Sequence, residues 1–308
     1  MKNEQETRIE LMDHAGKALL CSIVLNDKLT IPGEHRKIKL LGAPGEGKGT
    51  LAKNVTPILK FGVMEGSGLI KRHLSTLPSE QRREVEAALK GEGLGGNTLA
   101  PDDIVLSFFD KEYDLIREEL GSQGAKVNGH LYDGLPRNRF QAEKLLQRGL
   151  RFDAVAHLQS DPYTPLIRQN ARAIEDLLKT GKYRLDTLNA EKRVGDYERA
   201  LPGLLELLPQ MTKIFFPLPT HDTPLVTAYH FFVKASENGV KLNKEHISHV
   251  SAELRELDNQ FAKLKEDYHL SHSPHYENVK DNICIFKEKI KRFERQREDY
   301  FASACAMK

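Results

Sequence analysis

The chain has 308 residues, enough for one large domain with an appendage or for two modest domains. Its 46 basic and 44 acidic residues nearly cancel, and the formal charge of +2 gives no electrostatic case for binding nucleic acid or an anionic membrane. Three widely spaced cysteines form neither a disulfide framework nor a metal knuckle, which favours a reducing, cytoplasmic compartment.

Residues 1 to 35 predict an N-terminal helical extension. Apolar residues recur at helical spacing between Ile9 and Val24, and the string Ile31-Pro32-Gly33 then breaks the pattern. The longest apolar run, from Ala18 to Leu25, is too short to span a bilayer, and acidic residues precede it, unlike a signal peptide. No function is predicted for this segment.

A short apolar run followed by a glycine-rich loop occupies Ile38 to Thr50. The apolar run predicts a buried strand, and apolar residues at helical spacing after the loop predict a helix, which is the order of a phosphate-binding loop. Glycines bring backbone N–H groups close to phosphate oxygens. The Lys48 ammonium suits the β- and γ-phosphates, and the Thr50 hydroxyl suits Mg²⁺, which takes oxygen ligands and keeps several waters. The alternative is a surface turn, which would not require a flanking strand and helix.

Strand and helix patterns alternate from residue 36 to residue 238. Further strand candidates are residues 130–132, 155–158 and 214–216. This alternation predicts an α/β fold, a three-layer α/β/α sandwich with a parallel sheet. Asp133 ends one of these strands at the carboxyl edge, where ligands bind in open α/β sheets.

Residues 239 to 308 are strongly helical and highly charged. Apolar heptad seams over residues 247–264 and 279–293 flank a segment rich in His, Ser and Pro. The pattern predicts a C-terminal α-helical hairpin or coiled coil that packs on itself or on the preceding domain. A protein partner or self-association through residues 245–301 is a further possibility. The histidines of residues 269–275 predict a polar loop and no metal site, because no acidic or cysteine ligand lies among them.

Two strings resemble adenylate kinase and its nucleoside monophosphate kinase relatives. G-A-P-G-E-G-K-G-T, residues 42 to 50, is similar to the family's P-loop, in which a glycine separates the lysine from the threonine. D-G-L-P-R, beginning at Asp133 and followed by Gln141, is similar to the family's D-G-[FY]-P-R-x-x-x-Q string. The resemblance covers residues 37 to about 238. It implies phosphoryl transfer from ATP to a nucleoside monophosphate, with AMP as the favoured acceptor and Mg²⁺ as cofactor.

The resemblance also implies a role for each matching residue. ATP would be bound by Gly45, Glu46, Gly47, Lys48, Gly49, Thr50 and Arg168. AMP would be bound by Gly66, Lys71, Ala100, Gly134, Arg137 and Gln141, and Mg²⁺ by Thr50 and Asp133, partly through water. Catalysis would depend on Lys48, Arg137, Arg172, Arg184 and Arg193. Several cations are expected because the chemistry consists mainly of positioning and charge stabilisation. The alternative for each arginine is a solvated helix charge.

Residues 65 to 71 depart from the family pattern. The family usually has S-T-G-D-x-L-R, whereas this chain has E-G-S-G-L-I-K, so that Gly66, Gly68 and Lys71 replace a threonine, an aspartate and an arginine. Lysine keeps the charge but loses the bidentate fork of arginine. Two alternatives therefore stay open: a kinase for another nucleoside monophosphate, and a catalytically weakened nucleotide-binding protein with a coiled-coil partner module.

Overall fold

A computed structural model of the chain describes residues 4–27, 29, 36–89, 100–121, 127–182, 189–237 and 244–306. Its first elements are α1 (Glu4–Asn26), β1 (Arg36–Leu41), α2 (Lys48–Leu59), β2 (Phe61–Glu65), α3 (Gly66–His73), α4 (Ser79–Leu89), α5 (Asp102–Gly121) and β3 (Gly129–Asp133). They are followed by α6 (Arg139–Gln147), β4 (Ala154–Gln159), α7 (Thr164–Thr180), α8 (Ala190–Met211), β5 (Phe215–Pro219), α9 (Pro224–Ser236), α10 (Lys244–His272) and α11 (Tyr276–Ala306).

The strands form one parallel sheet in the order β2-β3-β1-β4-β5, which confirms the predicted α/β fold. Strand β2 was missed by the sequence analysis. Strand β1 lies in the centre, and its Leu40 pairs with Asp133 of β3. The glycine-rich loop after β1 and the carboxylate that ends β3 therefore meet at the same edge of the sheet.

Apolar cores lie on both faces of the sheet. One core combines Ile38 and Leu40 of β1 with buried residues of α1, α2, α9 and α10. The other combines Leu41 of β1 and Tyr132 of β3 with buried residues of α3 to α6 and of α8. Each large apolar side chain buried in this way contributes about 1.5 to 3 kcal/mol. The three-layer arrangement thus follows from the alternation of side chains along the central strand.

The seam of α10 packs on the sheet's helical layer. Its Val250 and Leu254 are buried in the same core as Leu20 of α1 and Tyr229 of α9. The carboxylate of Asp258 in α10 also accepts a hydrogen bond from the first turn of α9, at 2.7 Å. Helices α1 and α10 therefore share a core with the sheet. The domain boundaries predicted at residues 35 and 238 stay predictions.

The seam of α11 packs on α7. Val279, Ile283 and Phe286 form a buried cluster with α7 residues that include Leu177. Farther along α11, Phe293 is buried against α7 and α8. Of the two packings that the sequence left open, these buried contacts belong to packing on the preceding domain.

A shared carboxylate joins α7 to α10. Glu175 of α7 lies 2.7 Å from the ammonium of Lys265 in α10 and 2.5 Å from that of Lys179 in α7. Burial of Glu175 opposes ionisation, but the two lysines outweigh it and lower the pKa of the carboxyl group to about 2.

The predicted polar loop at residues 269–275 begins later in the structure, because α10 continues through His272. Stacking of the Tyr268 and His272 rings, 4.7 Å apart, accompanies this extra turn of helix. A hydrogen bond of 2.7 Å from the Tyr268 hydroxyl to Glu6 ties the end of α10 to α1.

Candidate functional site

The loop between β1 and α2 has a glycine-dependent backbone. Gly45 and Gly47 have φ angles of +95° and +91°, in the left-handed region that favours glycine. A Cβ atom at Gly45 would overlap the carbonyl oxygen of Pro165 in α7. Helix α2 begins at Lys48, so the N–H groups of its first turn adjoin the loop. A helix N-terminus of this kind attracts phosphate.

The side chain of Lys48 is hydrogen-bonded to the backbone of its own loop. Its ammonium donates hydrogen bonds to the carbonyl oxygens of Gly42, at 2.8 Å, and Ala43, at 2.9 Å. Burial lowers the pKa of Lys48, because desolvation disfavours the charged form. The ammonium is therefore held close to the loop backbone, where a bound anion would favour its charged form.

Glu46 anchors the loop to the sheet. Its buried carboxyl group accepts hydrogen bonds from the hydroxyl of Thr220, at 2.6 Å, and from that of Ser160, at 3.1 Å. Burial raises the pKa of Glu46. These bonds fix the loop against the ends of β4 and β5, and the predicted role of Glu46 at ATP remains a prediction.

Helix α7 lies beside the loop. The Arg168 guanidinium donates to the carbonyl oxygen of Thr220 and lies 3.8 Å from a Cβ atom built on Gly47. The amide of Gln169 donates to the carbonyl oxygen of Pro44 at 3.0 Å. Arg168 is therefore positioned at the rim of the loop, whereas Arg172, one turn farther along α7, is exposed.

Asp133 and Arg137 lie opposite the loop. The Oδ2 atom of Asp133 lies 4.0 Å from a Cβ atom built on Gly49. The Nε of Arg137 donates to the carbonyl oxygen of Gly134 at 2.8 Å, and a Cβ atom on Gly66 would lie 2.9 Å from Nη2 of Arg137. The Arg137 guanidinium therefore lies where a side chain at residue 66 would begin, a position that Gly66 leaves open to it.

Gln141 is held by an internal network. Its side chain accepts a hydrogen bond from the backbone N–H of Arg137, at 2.8 Å, and donates to Asp102, at 2.6 Å. Asp102 also accepts from Asn138, the N-cap residue of α6, at 2.8 Å. The buried Ala100 lies two residues before Asp102. This network orients the segment that carries Arg137, and the reading of a base by Gln141 remains a prediction.

Arg193 lies in the first turn of α8. Its charge acts on both Lys48 and Arg137 and lowers the pKa of each, after the larger effect of burial. The hydroxyl of Tyr197, one turn beyond Arg193, lies 3.3 Å from Nε2 of His157 and ties α8 to β4. The structure thus brings three predicted cations into one electrostatic neighbourhood.

Two other predicted residues are not part of this group as described. Lys71 is exposed in the last turn of α3. Arg184 lies outside the described residues. Neither position tests the role that was predicted for it.

The residues present fit a magnesium ion held together with phosphates. No group of three or more His, Cys, Asp or Glu side chains is placed to hold a metal within the described part of the chain. Thr50, in the first turn of α2, and Asp133, which faces Gly49, supply the oxygen donors that Mg²⁺ prefers. A cation that keeps several waters and binds phosphate oxygens needs few protein ligands.

The sequence analysis did not identify Lys39, which is buried in β1 beneath the loop. Within β1, residues 37 to 40 alternate between polar and apolar, and this alternation is typical of a strand with one solvated face. Burial of the whole sheet on both faces was the signal that could have identified it, since a parallel sheet leaves no solvated face.

The chain is similar to two proteins named adenylate kinase. It is 28% identical to the protein of Bartonella tribocorum over 155 residues, which are 49% of this chain and 73% of that protein. It is 35% identical to the protein of Parvibaculum lavamentivorans over 147 residues, which are 45% of this chain and 63% of that protein. No protein-family model matches the chain. Within the described ranges, no helix is long and apolar enough to cross a membrane. The similarity covers about half of this chain and supports a relationship to the adenylate kinases.

Proposed function

We propose that the protein transfers the γ-phosphoryl group of ATP to a nucleoside monophosphate, with AMP as the favoured acceptor. An oxygen of the acceptor phosphate would form the new bond to the γ-phosphorus, and the bond to the β–γ bridging oxygen would break. The products are two nucleoside diphosphates. No general base is needed, because the acceptor phosphate is itself the nucleophile.

The observation that carries this proposal is the convergence of Lys48, Arg137 and Arg193 near Asp133 at one edge of the parallel sheet. Phosphoryl transfer spreads negative charge over the oxygens of the migrating group, and preorganised cations stabilise it. A site in which three half-buried cations act on one another is suited to an anion that carries several charges.

Each group has a distinct proposed task. The loop amides and Lys48 would hold the donor phosphates, and Arg137 would grip the acceptor phosphate bidentately, as its planar fork allows. Arg168 would lie on the base of ATP, and Arg172, Arg184 and Arg193 would surround the migrating group. Thr50 and Asp133 would hold Mg²⁺, partly through water, and the ion would supply positive charge against the phosphate oxygens.

Two alternatives follow from residues 65–71. Lys71 in place of arginine weakens the expected grip on the acceptor phosphate, and Gly66 removes a side chain from the acceptor site. A kinase for another nucleoside monophosphate would tolerate both changes. A nucleotide-binding interaction protein would also tolerate them, because it would not need to catalyse phosphoryl transfer.

The test is a coupled assay with ATP and each of AMP, CMP, UMP, GMP and their deoxy forms. The proposal predicts diphosphate formation that depends on the monophosphate, fastest with AMP. Faster transfer to another monophosphate would replace AMP as the acceptor. ATP binding without transfer to any of them would favour the interaction protein.

A further inference from the structure

Lys39 occupies an unusual place for a lysine. It lies in the central strand β1, paired with Tyr132 on one side and Val155 on the other, and its exposed fraction is 1%. Tyr132 and Val155 belong to the apolar core on this face of the sheet. Lysine is rarely buried to this extent unless its charge is paired, because desolvating an ammonium group is costly.

The ammonium of Lys39 lies toward the loop end of the strand. It donates a hydrogen bond of 3.1 Å to the carbonyl oxygen of Leu40. The charged groups that act on it are Asp133, Lys48 and Arg137. Three cations, counting Lys39 itself, and the carboxylate of Asp133 thus act on one another at the loop end of β1.

We propose that Lys39 is an additional cation of the phosphate site, which strengthens the binding of polyphosphate anions from beneath the glycine-rich loop. This inference rests on the proposed function, since it takes the loop to be a phosphate site. Lys39 need not touch the reacting atoms, because a charge buried in a medium of low dielectric constant acts over several ångströms.

The protonation of Lys39 is consistent with this role. Its pKa is lowered to about 7, mainly by burial, with Asp133 opposing this shift and Lys48 and Arg137 adding to it. A polyphosphate bound at the loop would favour the protonated form. A neutral ligand such as adenosine would gain nothing from the same group.

The test compares Lys39→Met with wild type by calorimetric titration with inorganic tripolyphosphate and, separately, with adenosine. Methionine has a similar length and no charge. Tripolyphosphate affinity should fall at least about tenfold, because two unit charges about 10 Å apart at an effective dielectric constant of about 20 correspond to such a factor. Adenosine affinity should not change. The melting temperature of the ligand-free variant should be equal or higher, because a buried charge has been removed.

Lys37→Met, two residues earlier on the same strand, is the matched control and should leave both affinities unchanged. Lys39→Arg should retain tripolyphosphate binding, since it keeps the charge. If Lys39→Met does not fold, Lys39→Gln provides the same comparison with a polar, uncharged side chain.

Three results would overturn the inference. Wild-type affinity for tripolyphosphate in the uncharged variant would show that Lys39 plays no electrostatic role. If Lys39→Met weakens adenosine binding as much as tripolyphosphate binding and also lowers the melting temperature, the role of Lys39 is purely structural. Failure of the wild type itself to bind tripolyphosphate would refute the phosphate site, and with it both the proposed function and this inference.

Discussion

Phe286 tests whether the C-terminal helix α11 is an integral part of the fold. Its side chain is 2% exposed and lies in the cluster that joins α11 to α7, with Leu177 among its neighbours. Truncation of a buried phenylalanine to alanine removes apolar contacts and leaves a cavity, and it typically costs about 3 to 5 kcal/mol. Phe286→Ala should therefore reduce the free energy of unfolding by about this amount.

The neighbouring Ile285 provides a matched control on the same helix. It is 55% exposed, so Ile285→Ala should change the free energy of unfolding by no more than about 0.5 kcal/mol. Urea denaturation of the full chain, followed by far-UV circular dichroism, measures both variants. Helix α7 also contacts the glycine-rich loop, where Arg168 lies beside Gly47. The Phe286→Ala curve should therefore be displaced as a whole, because α11 and the loop region are joined through the same helix.

Two outcomes would refute this reasoning. Equal and small effects of Phe286→Ala and Ile285→Ala would show that the packing of α11 on α7 contributes little. A separate early transition in Phe286→Ala, with the main transition unchanged, would show that the C-terminal helices fold as an independent hairpin.

Lys71→Arg should lower the KM for AMP or raise kcat/KM in steady-state assays, and a variant worse with AMP but better with another monophosphate would contradict the AMP assignment. Gly45→Ala should destabilise the protein by about 1 to 3 kcal/mol and weaken ATP binding, because its new Cβ atom meets the Pro165 carbonyl oxygen. Gly149→Ala is the control, since Gly149 has φ +79° and nothing lies within 4 Å of its Cβ atom; it should destabilise the protein through backbone strain and leave the ATP affinity unchanged. The pKa of Glu175, about 2, lies below its unfolded value, so its ion pairs stabilise the fold above about pH 4.3 and cease to do so as pH falls toward 2. Glu175→Gln should cost about 1 kcal/mol at pH 7 and little at pH 2 in urea denaturation, whereas a cost that does not vary with pH would contradict this.

The sequence predicted the parts of the fold in which local pattern and tertiary role agree. The run before Gly42, the turn after Asp133 and the order of strands and helices place both segments at one edge of a parallel sheet. Strand β2 was missed because its five residues include Gly62 and join α3 without an intervening turn. The heptad seams of α10 and α11 predicted apolar faces but could not name the surfaces that cover them, since the same stripe fits a partner helix or a core.

The candidate site was predicted less completely than the fold. Loop glycines and Lys48 are recognisable because their spacing carries a mechanism. The anchoring of Glu46 by Thr220 joins residues far apart in the chain, and spacing alone gives no sign of it. Lys39 was overlooked because alternation in a short strand does not reveal whether its second face is solvated or buried.

The most direct test of the central claim is transfer of labelled phosphate from ATP to AMP. With ATP labelled at the γ-phosphate and unlabelled AMP, the account predicts that the label appears in the β-phosphate of ADP, and only when AMP is present. Lys48→Ala should reduce this rate about a hundredfold or more, as expected when a preorganised charge is lost from the site, without altering the far-UV circular dichroism spectrum. Absence of label from ADP in a wild-type protein that binds ATP, or an equal rate in Lys48→Ala, would contradict the account.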